Sequence, residues 1–348
     1  MGATIVIDAF WGDSGKGKIS AHMTNKLNAK YAVRAGTGTN AGHSLFLDKD
    51  TVVKTNQIPL ALVNKKVQLR VGSGVVVDPQ KFFEEIKKFG VERRTKVDYR
   101  CAVILPEYKE MEAADSNLAS KVGSTKSGTG YARAQFILRK AKQARDIDEL
   151  KPYTADVAKE VNDACARGQD VVIEGSQGTY LSLALSPDYP FTTSDNCTAV
   201  ASADDAGLSW QHIKDVVMVV KAVPSRVGEG PLPFEIAKEE IIRKNIAEYG
   251  VTTGRMRRKA SKIDYGLLKY ATMLNGPTQI ALTFCDHYDP KITGATKESE
   301  ITPKVQALIR KIEKATGVPV TMVETGKLLS EVIDLRRHHI NTLRKVYK

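Results

Sequence analysis

Short apolar runs alternate along most of the chain with longer segments in which apolar residues recur every three or four positions. Short β-branched apolar runs are typical of buried strands, and the longer pattern is typical of amphipathic helices. The short runs predict strands at residues 4–8, 31–34, 67–71, 101–105, 171–174, 215–222, 278–284 and 318–323. The longer segments predict helices at residues 18–27, 79–89, 109–121, 132–146, 154–167, 234–248, 261–274, 303–315 and 327–335. This alternation indicates an α/β fold with a mainly parallel central sheet flanked by helices.

The turn after the first predicted strand, residues 11–18, is rich in glycine and lysine. A strand, a glycine-rich turn and a helix present backbone N–H groups to a phosphate, so we predict a P-loop-like phosphate-binding turn. Residue 19 is Ile, where an ordinary P-loop needs Ser or Thr for magnesium, which argues against a Walker-type loop. The residues predicted to approach the anion are Gly12, Gly15, Lys16, Gly17 and Lys18.

Asp13 is unusual inside such a turn. A carboxylate repels phosphate unless it binds a metal ion or takes a proton from the substrate. Asp is also a common helix N-cap, so the turn alone leaves both interpretations open. A second glycine- and hydroxyl-rich loop, residues 36–44, follows the second predicted strand and contains His43, which is either a surface residue or a titratable group beside an anion.

Composition narrows the class of protein. The chain has 348 residues, 42% of them hydrophobic and 26% charged, which is typical of a globular protein, and we interpret residues 1–348 as one domain. We find neither an apolar segment of about 18 residues nor a secretory leader pattern, so we expect a cytoplasmic protein without a membrane partner. The four cysteines form no CxxC pair, which argues against a zinc site.

The net charge of +12 leaves two classes of function open. One is an enzyme that handles several anionic substrates, and the other is a basic NTPase that acts on nucleic acid. The second interpretation predicts Ser or Thr after Lys18 and aromatic residues among the basic ones, but residue 19 is Ile and only 7% of residues are aromatic. We therefore expect no nucleic-acid partner.

A series of motifs, in order along the chain, closely resembles the adenylosuccinate synthetase family. The family motifs are WGDxGKGK, NAGH, GTTGxGxGP, EGAQG, YPYVTS, RVGAGP, TTGRRRR, TKLD and STGP. They match residues 11–18, 40–43, 123–131, 174–178, 189–194, 226–231, 252–258, 283–286 and 324–327. The compact length resembles the shorter archaeal and phage branch of the family.

The resemblance implies a two-step ligase reaction. A base removes the N1 proton of a 6-oxopurine nucleotide, the 6-oxygen attacks the γ-phosphate of an NTP, and the amine of L-aspartate displaces the phosphate. It implies that Asp13 is the base, that His43 stabilises the transferring phosphoryl group, and that Asp13 and the carbonyl of Gly42 hold Mg²⁺.

The resemblance also implies three small-molecule sites and a homodimer. Arg139 matches an arginine that reaches the neighbouring subunit's nucleotide. The residues implied for the purine nucleotide are Asn40, Ser124, Thr125, Arg139, Gln177, Thr193 and Val227. Those implied for L-aspartate are Thr252, Thr253, Arg255 and Arg257. Those implied for the NTP are Gly12, Ser14, Gly15, Lys16, Gly17, Lys18, Gly42, Asp286, Thr325 and Gly326.

Departures from the family motifs suggest a different purine. Ser14 replaces Glu beside Asp13, which removes a charge and several atoms and leaves room for a 2-amino group. This departure resembles the phage branch that uses dGMP and makes 2-amino-2′-deoxyadenylosuccinate, which would place the protein in the host cytoplasm. Further departures near the nucleotide are Ser124, Lys126, Tyr131 and Pro187-Asp188. The alternative is an enzyme that uses IMP.

The NTP site departs as well. Asp286 favours guanine, whose N1 and N2 donors suit a carboxylate. Phe284, Glu324 and Lys327 replace the family's Lys, Ser and Pro, so the pocket around Asp286 differs. We expect ATP or dATP as donor if the substrate is dGMP, and GTP if it is IMP.

Overall fold

The computed structural model describes residues 1–250 and 254–336. Its centre is a ten-stranded sheet in which every neighbouring pair is parallel except the last, where β14 runs antiparallel to β13. The strands of the whole described structure, including the pairs β3-β4 and β10-β11 that lie outside this sheet, are β1 (Ala3–Asp8), β2 (Tyr31–Arg34), β3 (His43–Phe46), β4 (Val52–Thr55), β5 (Gln68–Val71), β6 (Thr95–Asp98), β7 (Thr154–Ala155), β8 (Val171–Glu174), β9 (Ile213–Lys221), β10 (Ser225–Arg226), β11 (Arg258–Lys259), β12 (Gln279–Thr283), β13 (Val320–Glu324) and β14 (Val332–Asp334). The order across the sheet is β14-β13-β12-β9-β1-β8-β2-β5-β6-β7. This topology confirms the predicted α/β fold with a mainly parallel sheet.

Helices cover both faces of this sheet, which explains why its central strands are apolar on both sides. Val6 and Val172 pack with Ile19 of the first helix on one face, while Ile5 and Ile173 belong to the core on the opposite face. The helices are α1 (Lys16–Leu27), α2 (Pro79–Phe89), α3 (Pro106–Ala114), α4 (Thr129–Ile137), α5 (Val157–Ala166), α6 (Ala199–Asp205), α7 (Lys238–Arg243), α8 (Tyr265–Asn275), α9 (Cys285–Tyr288) and α10 (Pro303–Thr316).

Local sequence signals explain several helix boundaries. Asp78 caps α2 by accepting a hydrogen bond from the backbone N–H of Lys81, and Gly90 ends the helix in the left-handed conformation. Thr302 caps α10 in the same way. These are the helices whose predicted bounds agree best with the structure.

Some predicted elements are wrong. Residues 101–105 form only isolated bridges, and the strand of this region is β6, which ends three residues earlier. Residues 327–335 contain β14 instead of a helix, because Val332 and Ile333 pair with β13. The helix predicted at 234–248 is limited to α7. The single-domain organisation stays a prediction.

No helix in the described part of the chain is long and apolar enough to cross a membrane.

Asp205, at the end of α6, supports the loop that follows β2. Its side chain is 5% exposed, and Oδ2 accepts a hydrogen bond from the backbone N–H of Gly36 at 2.8 Å. Its own backbone carbonyl accepts from Gly74 at 2.9 Å. Burial and the charge of Asp195 raise the pKa of the Asp205 carboxyl to about 7, while the hydrogen bond from Gly36 lowers this pKa and only partly offsets the rise. The folded protein therefore binds a proton here that the unfolded chain has released above about pH 4.

We predict that replacing Asp205 with Asn changes how stability depends on pH. Protonated Asp205 stabilises the folded state fully below about pH 4, and this contribution is lost progressively as the pH rises from about 4 to 7. The free energy of unfolding of D205N, relative to the unsubstituted protein, should therefore increase over this range by up to about 4 kcal/mol. Urea denaturation at several pH values measures it. The exposed neighbour offers the control D204N, and parallel curves for D205N and the unsubstituted protein would contradict the prediction.

Candidate active site

The turn between β1 and α1 brings backbone and charge together at the carboxyl edge of the sheet. Gly12 and Gly15 have φ of 85° and 82°, a region that glycine adopts without strain. Gly17 has no room for a side chain, because a Cβ there would lie 2.9 Å from the Cβ of His43. The N-terminus of α1 therefore lies directly against His43. A helix N-terminus with lysines beside it is an arrangement that attracts anions.

Asp13 is not the helix cap. Gly15 occupies the N-cap position of α1, with no side-chain hydrogen bond to the helix. Asp13 has φ of 55°, and its Oδ2 forms an ion pair with Nε of Arg257 at 2.6 Å. The backbone carbonyl of Asp13 accepts from Nζ of Lys221 at 2.9 Å. This contact pattern removes the capping interpretation.

Both lysines of the turn are paired with buried acids. Lys16 lies 3.7 Å from Asp8, and Lys18 lies 3.1 Å from Glu324 and donates to the carbonyl of Gly326 at 2.6 Å. The positive charge of the turn is thus partly balanced from within the protein. Burial raises the pKa of Glu324, and the ammonium of Lys18 opposes this shift.

His43 lies in a buried network with the ends of β2 and β8. Its Nδ1 is 2.7 Å from Oε1 of Glu174 and 2.5 Å from Nη1 of Arg34. Glu174 also accepts from Arg34 at 2.9 Å and from the backbone N–H of Leu60 at 3.0 Å. Burial and the charge of Arg34 lower the pKa of His43 to about 4, and Glu174 opposes this shift. The imidazole is therefore neutral at pH 7 in this state of the protein.

A cleft beside the turn collects many of the predicted site residues. It is lined by residues of the turn after β1, the loop before β3, the loop before α4, and the loops that follow β8 and β10. We call it the main cleft. Predicted site residues in its wall are Gly12, Asp13, Lys16, Asn40, Gly42, His43, Ser124, Thr125, Gln177, Thr193 and Val227.

Some predicted residues lie elsewhere. Arg139 is exposed and lines a separate surface pocket with Arg133 and Phe136. Asp286 stands at the start of α9, after β12. Lys18 connects the turn to the segment after β13, where the hydroxyl of Thr325 donates to the carbonyl of Ala295. Lys18, Asp286 and Thr325 are therefore not among the residues that line the main cleft.

The residues predicted to bind L-aspartate differ in their burial and contacts. Arg257 is buried and paired with Asp13, while Arg255 is exposed, with Nη1 3.5 Å from the carbonyl of Gly123 in the main cleft. Thr252 and Thr253 lie outside the described residues.

The match to known proteins is extensive. A sequence profile of the family described as adenylosuccinate synthetase matches residues 5–149 and 141–290. The adenylosuccinate synthetase of Thermococcus onnurineus is 44% identical over 339 residues, which cover 97% of this chain and 99% of the relative. That of Archaeoglobus fulgidus is 43% identical and covers 98% of this chain and 100% of the relative.

The chain belongs to the adenylosuccinate synthetase family. It is therefore a carbon–nitrogen ligase of the adenylosuccinate synthetase type.

Two solved structures of synthetases share the fold. Fully ligated adenylosuccinate synthetase from Plasmodium falciparum superposes with a TM-score of 0.87 at 19% identity, covering 96% of this chain and 100% of that one. Succinoaminodeoxyadenylate synthetase (PurZ) of cyanophage S-2L, bound to dGMP and dATP as an energy donor, superposes with a TM-score of 0.79 at 24% identity. It covers 100% of this chain and 99% of that one. At these identities the likeness concerns the fold.

Two acidic residues of this synthetase-type site escaped the sequence analysis. Glu112 of α3 is 3% exposed, lines the main cleft and accepts a hydrogen bond from the hydroxyl of Ser124. Glu248 binds Lys221 and Arg257, and each of these residues also contacts Asp13. Both lie in segments with helical charge patterns, which usually indicate a solvated face. Only the position of Glu248, shortly before the motif at 252–258, could have drawn attention to it.

The donor set of the site suits Mg²⁺. Asp13 offers a carboxylate and Gly42 a backbone carbonyl, which are the hard oxygen ligands that Mg²⁺ prefers, and both line the main cleft. Within residues 1–250 and 254–336, no group of three or more His, Cys, Asp or Glu side chains could hold a metal ion. A site with so few protein ligands fits an ion that takes its other ligands from phosphates and water.

We predict that Gly36→Ala disrupts the loop that follows β2. Gly36 has φ of 92°, and an added Cβ would lie 2.4 Å from the Cβ of Ser176, so the substitution adds a clash to backbone strain. The loss of stability should be about 2 kcal/mol or more. Gly90→Ala is the matched control, because Gly90 has φ of 61° with nothing within 4 Å of the new Cβ. Thermal unfolding compares them, and equal losses would show that the contact with Ser176 is unimportant.

Proposed function

We propose that this ligase joins L-aspartate to the 6-position of dGMP, with ATP or dATP as the phosphoryl donor. The product would be 2-amino-2′-deoxyadenylosuccinate. The observation that carries the choice of purine is Ser14, the residue beside Asp13. It is 2% exposed, and its hydroxyl has no hydrogen-bond partner among the residues that the structure describes.

The geometry of the purine ring relates its 2-amino group to Ser14. The 2-amino group is attached to the carbon next to N1, and N1 is the atom from which Asp13 would take the proton. A glutamate at residue 14, as in the common motif, would place a second carboxylate in a buried position beside that base. A serine removes that charge and volume. Its buried hydroxyl, which has no hydrogen-bond partner among the described residues, can still donate and accept hydrogen bonds.

In the first step, Asp13 accepts the N1 proton, the 6-oxygen attacks the γ-phosphorus of the NTP, and the bond to the β,γ-bridging oxygen breaks so that the NDP leaves. His43, which also lines the main cleft, contacts the transferring phosphoryl group and is oriented by Glu174. Mg²⁺ held by Asp13 and the carbonyl of Gly42 would supply stabilisation of the phosphate charge. In the second step, the aspartate amine attacks C6 and phosphate leaves.

The purine nucleotide is held in the main cleft. Asn40 donates from Nδ2 to the hydroxyl of Thr193 at 3.2 Å, which joins two of the loops that would surround it. Gln177, with φ of 61°, stands directly against Gly12 of the phosphate-binding turn. The remaining residues proposed for the nucleotide are Ser124, Thr125, Val227 and, from the neighbouring subunit of a homodimer, Arg139.

The NTP binds along the turn, with its base near Asp286 and Thr325-Gly326. Backbone N–H groups of Gly15 and Gly17, with Lys16 and Lys18, bind its phosphates. Glu324 accepts from Lys18 and, at 2.6 Å, from the backbone N–H of Phe284, so two of the departures from the family motif meet beside this pocket. This altered pocket supports an adenine nucleotide as donor.

The L-aspartate carboxylates are bound by Arg255 and Arg257 with Thr252 and Thr253. Paired guanidinium groups suit a dicarboxylate, because each can donate two parallel hydrogen bonds. The enzyme acts as one domain in the cytoplasm, on small molecules.

The second candidate is an adenylosuccinate synthetase that uses IMP and GTP. The archaeal relatives with 44% and 43% identity carry that name. Asp286 also favours a guanine base in the donor. The choice between the two candidates is a question of substrate preference within one chemistry.

We predict that phosphate release with L-aspartate and Mg²⁺ is fastest with dGMP when IMP, GMP and dGMP are each combined with ATP, dATP and GTP. Ser14→Glu should lower kcat/KM for dGMP relative to IMP by ~10-fold or more, because one pocket contact commonly changes discrimination by this amount. Ser14→Ala is the control, since it keeps the room and should keep the preference. An unsubstituted enzyme that prefers IMP and barely uses dGMP would overturn the proposal.

A further inference from the structure

Glu248 is the centre of a buried charge cluster beside the turn. It precedes β11, and its backbone carbonyl accepts from the N–H of Arg257 at 2.9 Å, which places the two residues side by side. The side chain of Glu248 is 9% exposed. It lies between Lys221 at the end of β9 and Lys259 at the end of β11, both almost fully buried.

Four basic side chains converge on this one carboxylate. Oε2 of Glu248 is 2.6 Å from Nζ of Lys221 and 2.7 Å from Nη1 of Arg257. Oε1 pairs with Nζ of Lys259 and is 3.2 Å from Nδ1 of His287. We call these five residues the Glu248 cluster.

Two members of the cluster hold Asp13 from opposite ends. Nζ of Lys221 donates to its backbone carbonyl at 2.9 Å, and Nε of Arg257 pairs with its carboxylate at 2.6 Å. Asp13 has φ of 55°, a conformation that non-glycine residues adopt at a cost and keep only when their surroundings impose it. The contacts with Lys221 and Arg257 both restrain Asp13 in this conformation.

We propose that Glu248 is a positioning residue for Asp13, acting through Lys221 on its backbone and through Arg257 on its carboxylate. This inference rests on the proposed function in one respect, namely that Asp13 is the base of the first step.

Removal of the Glu248 charge changes the balance around Asp13. Lys221, Arg257 and Lys259 would then share a buried space whose nearby anions, among the described residues, include Asp13, paired with Arg257, and Asp286, whose charge acts on Lys259. Like charges without compensation are costly in a buried site, so the cations separate or crowd onto the Asp13 carboxylate. Either change moves or masks the oxygen that must accept the N1 proton. A displacement of about 1 Å in a catalytic group can lower a rate 100-fold.

The first step can be followed without L-aspartate. If the 6-oxygen attacks the γ-phosphorus reversibly, ¹⁸O placed in the β,γ-bridge of the NTP moves to non-bridging positions of the β-phosphate. This positional isotope exchange needs the purine nucleotide, the NTP and Mg²⁺ only. It therefore separates an effect on Asp13 from an effect on aspartate binding through Arg257.

The test compares Glu248→Gln with the control Glu235→Gln. Glu235 pairs with Arg258, the residue next to Arg257 in the sequence, and it is not a member of the Glu248 cluster. We expect E248Q to lower the exchange rate by ~100-fold or more while the dissociation constant of the purine nucleotide changes by less than about 3-fold. E235Q should exchange at the unsubstituted rate, and Glu248→Asp should recover part of the loss because it keeps the charge.

The outcomes are distinct. If E248Q exchanges at the unsubstituted rate but has a raised KM for L-aspartate, Glu248 acts only on the aspartate site and the inference is overturned. An exchange rate and a KM for L-aspartate that are both unchanged would overturn it as well. If E248Q does not fold, the double variant E248Q/K259M is used instead. It removes one charge of each sign, and Lys221 and Arg257 still lose the Glu248 carboxylate that they share. Exchange at the unsubstituted rate in that variant would also overturn it. Absence of exchange in the unsubstituted enzyme, with every purine nucleotide tried, would instead overturn the proposed function.

Discussion

The rest of the site depends on charge that is buried at the carboxyl ends of the central strands and compensated there. Strands β1, β2, β8, β9 and β13 end in Asp8, Arg34, Glu174, Lys221 and Glu324, all of them 5% exposed or less. Placing a charge in such a position costs several kcal/mol unless it is paired. Every one of these five has an opposite charge within 4 Å, so the edge of the sheet is held together by ion pairs.

These pairs also determine which groups face the substrates. Glu174 holds Arg34 and His43 together, and Glu248 connects Lys221 to Arg257, so each acid orients a group beside the main cleft. Buried, paired side chains are already ordered, so they lose little conformational entropy when a ligand binds. This is the physical advantage of a site built on strand ends. The proposed reaction requires proton removal and phosphoryl transfer within one cleft, and fixed neighbours of opposite charge suit both steps.

The sequence predicted the central strands well, because runs such as 31–34 and 171–174 are apolar on both faces and have no competing pattern. It predicted the β14 edge of the sheet poorly, since two adjacent apolar residues such as Val332 and Ile333 fit the sequence pattern of a helix as well as that of a short antiparallel strand. The motifs located His43 and Gln177 through resemblance. They could not locate Glu248, because its role arises from partners 9 to 39 residues away along the chain that only the fold brings together.

The central claim is that the 6-oxygen of a purine nucleotide becomes part of the released phosphate. The most direct measurement uses a purine nucleotide labelled with ¹⁸O at the 6-position, together with L-aspartate, Mg²⁺ and the preferred NTP. Mass spectrometry of the released phosphate then follows the label. Our account predicts one ¹⁸O atom in each phosphate, formed in step with the succino-nucleotide product. Unlabelled phosphate would mean that water attacks the NTP, and it would contradict the account of the site given above.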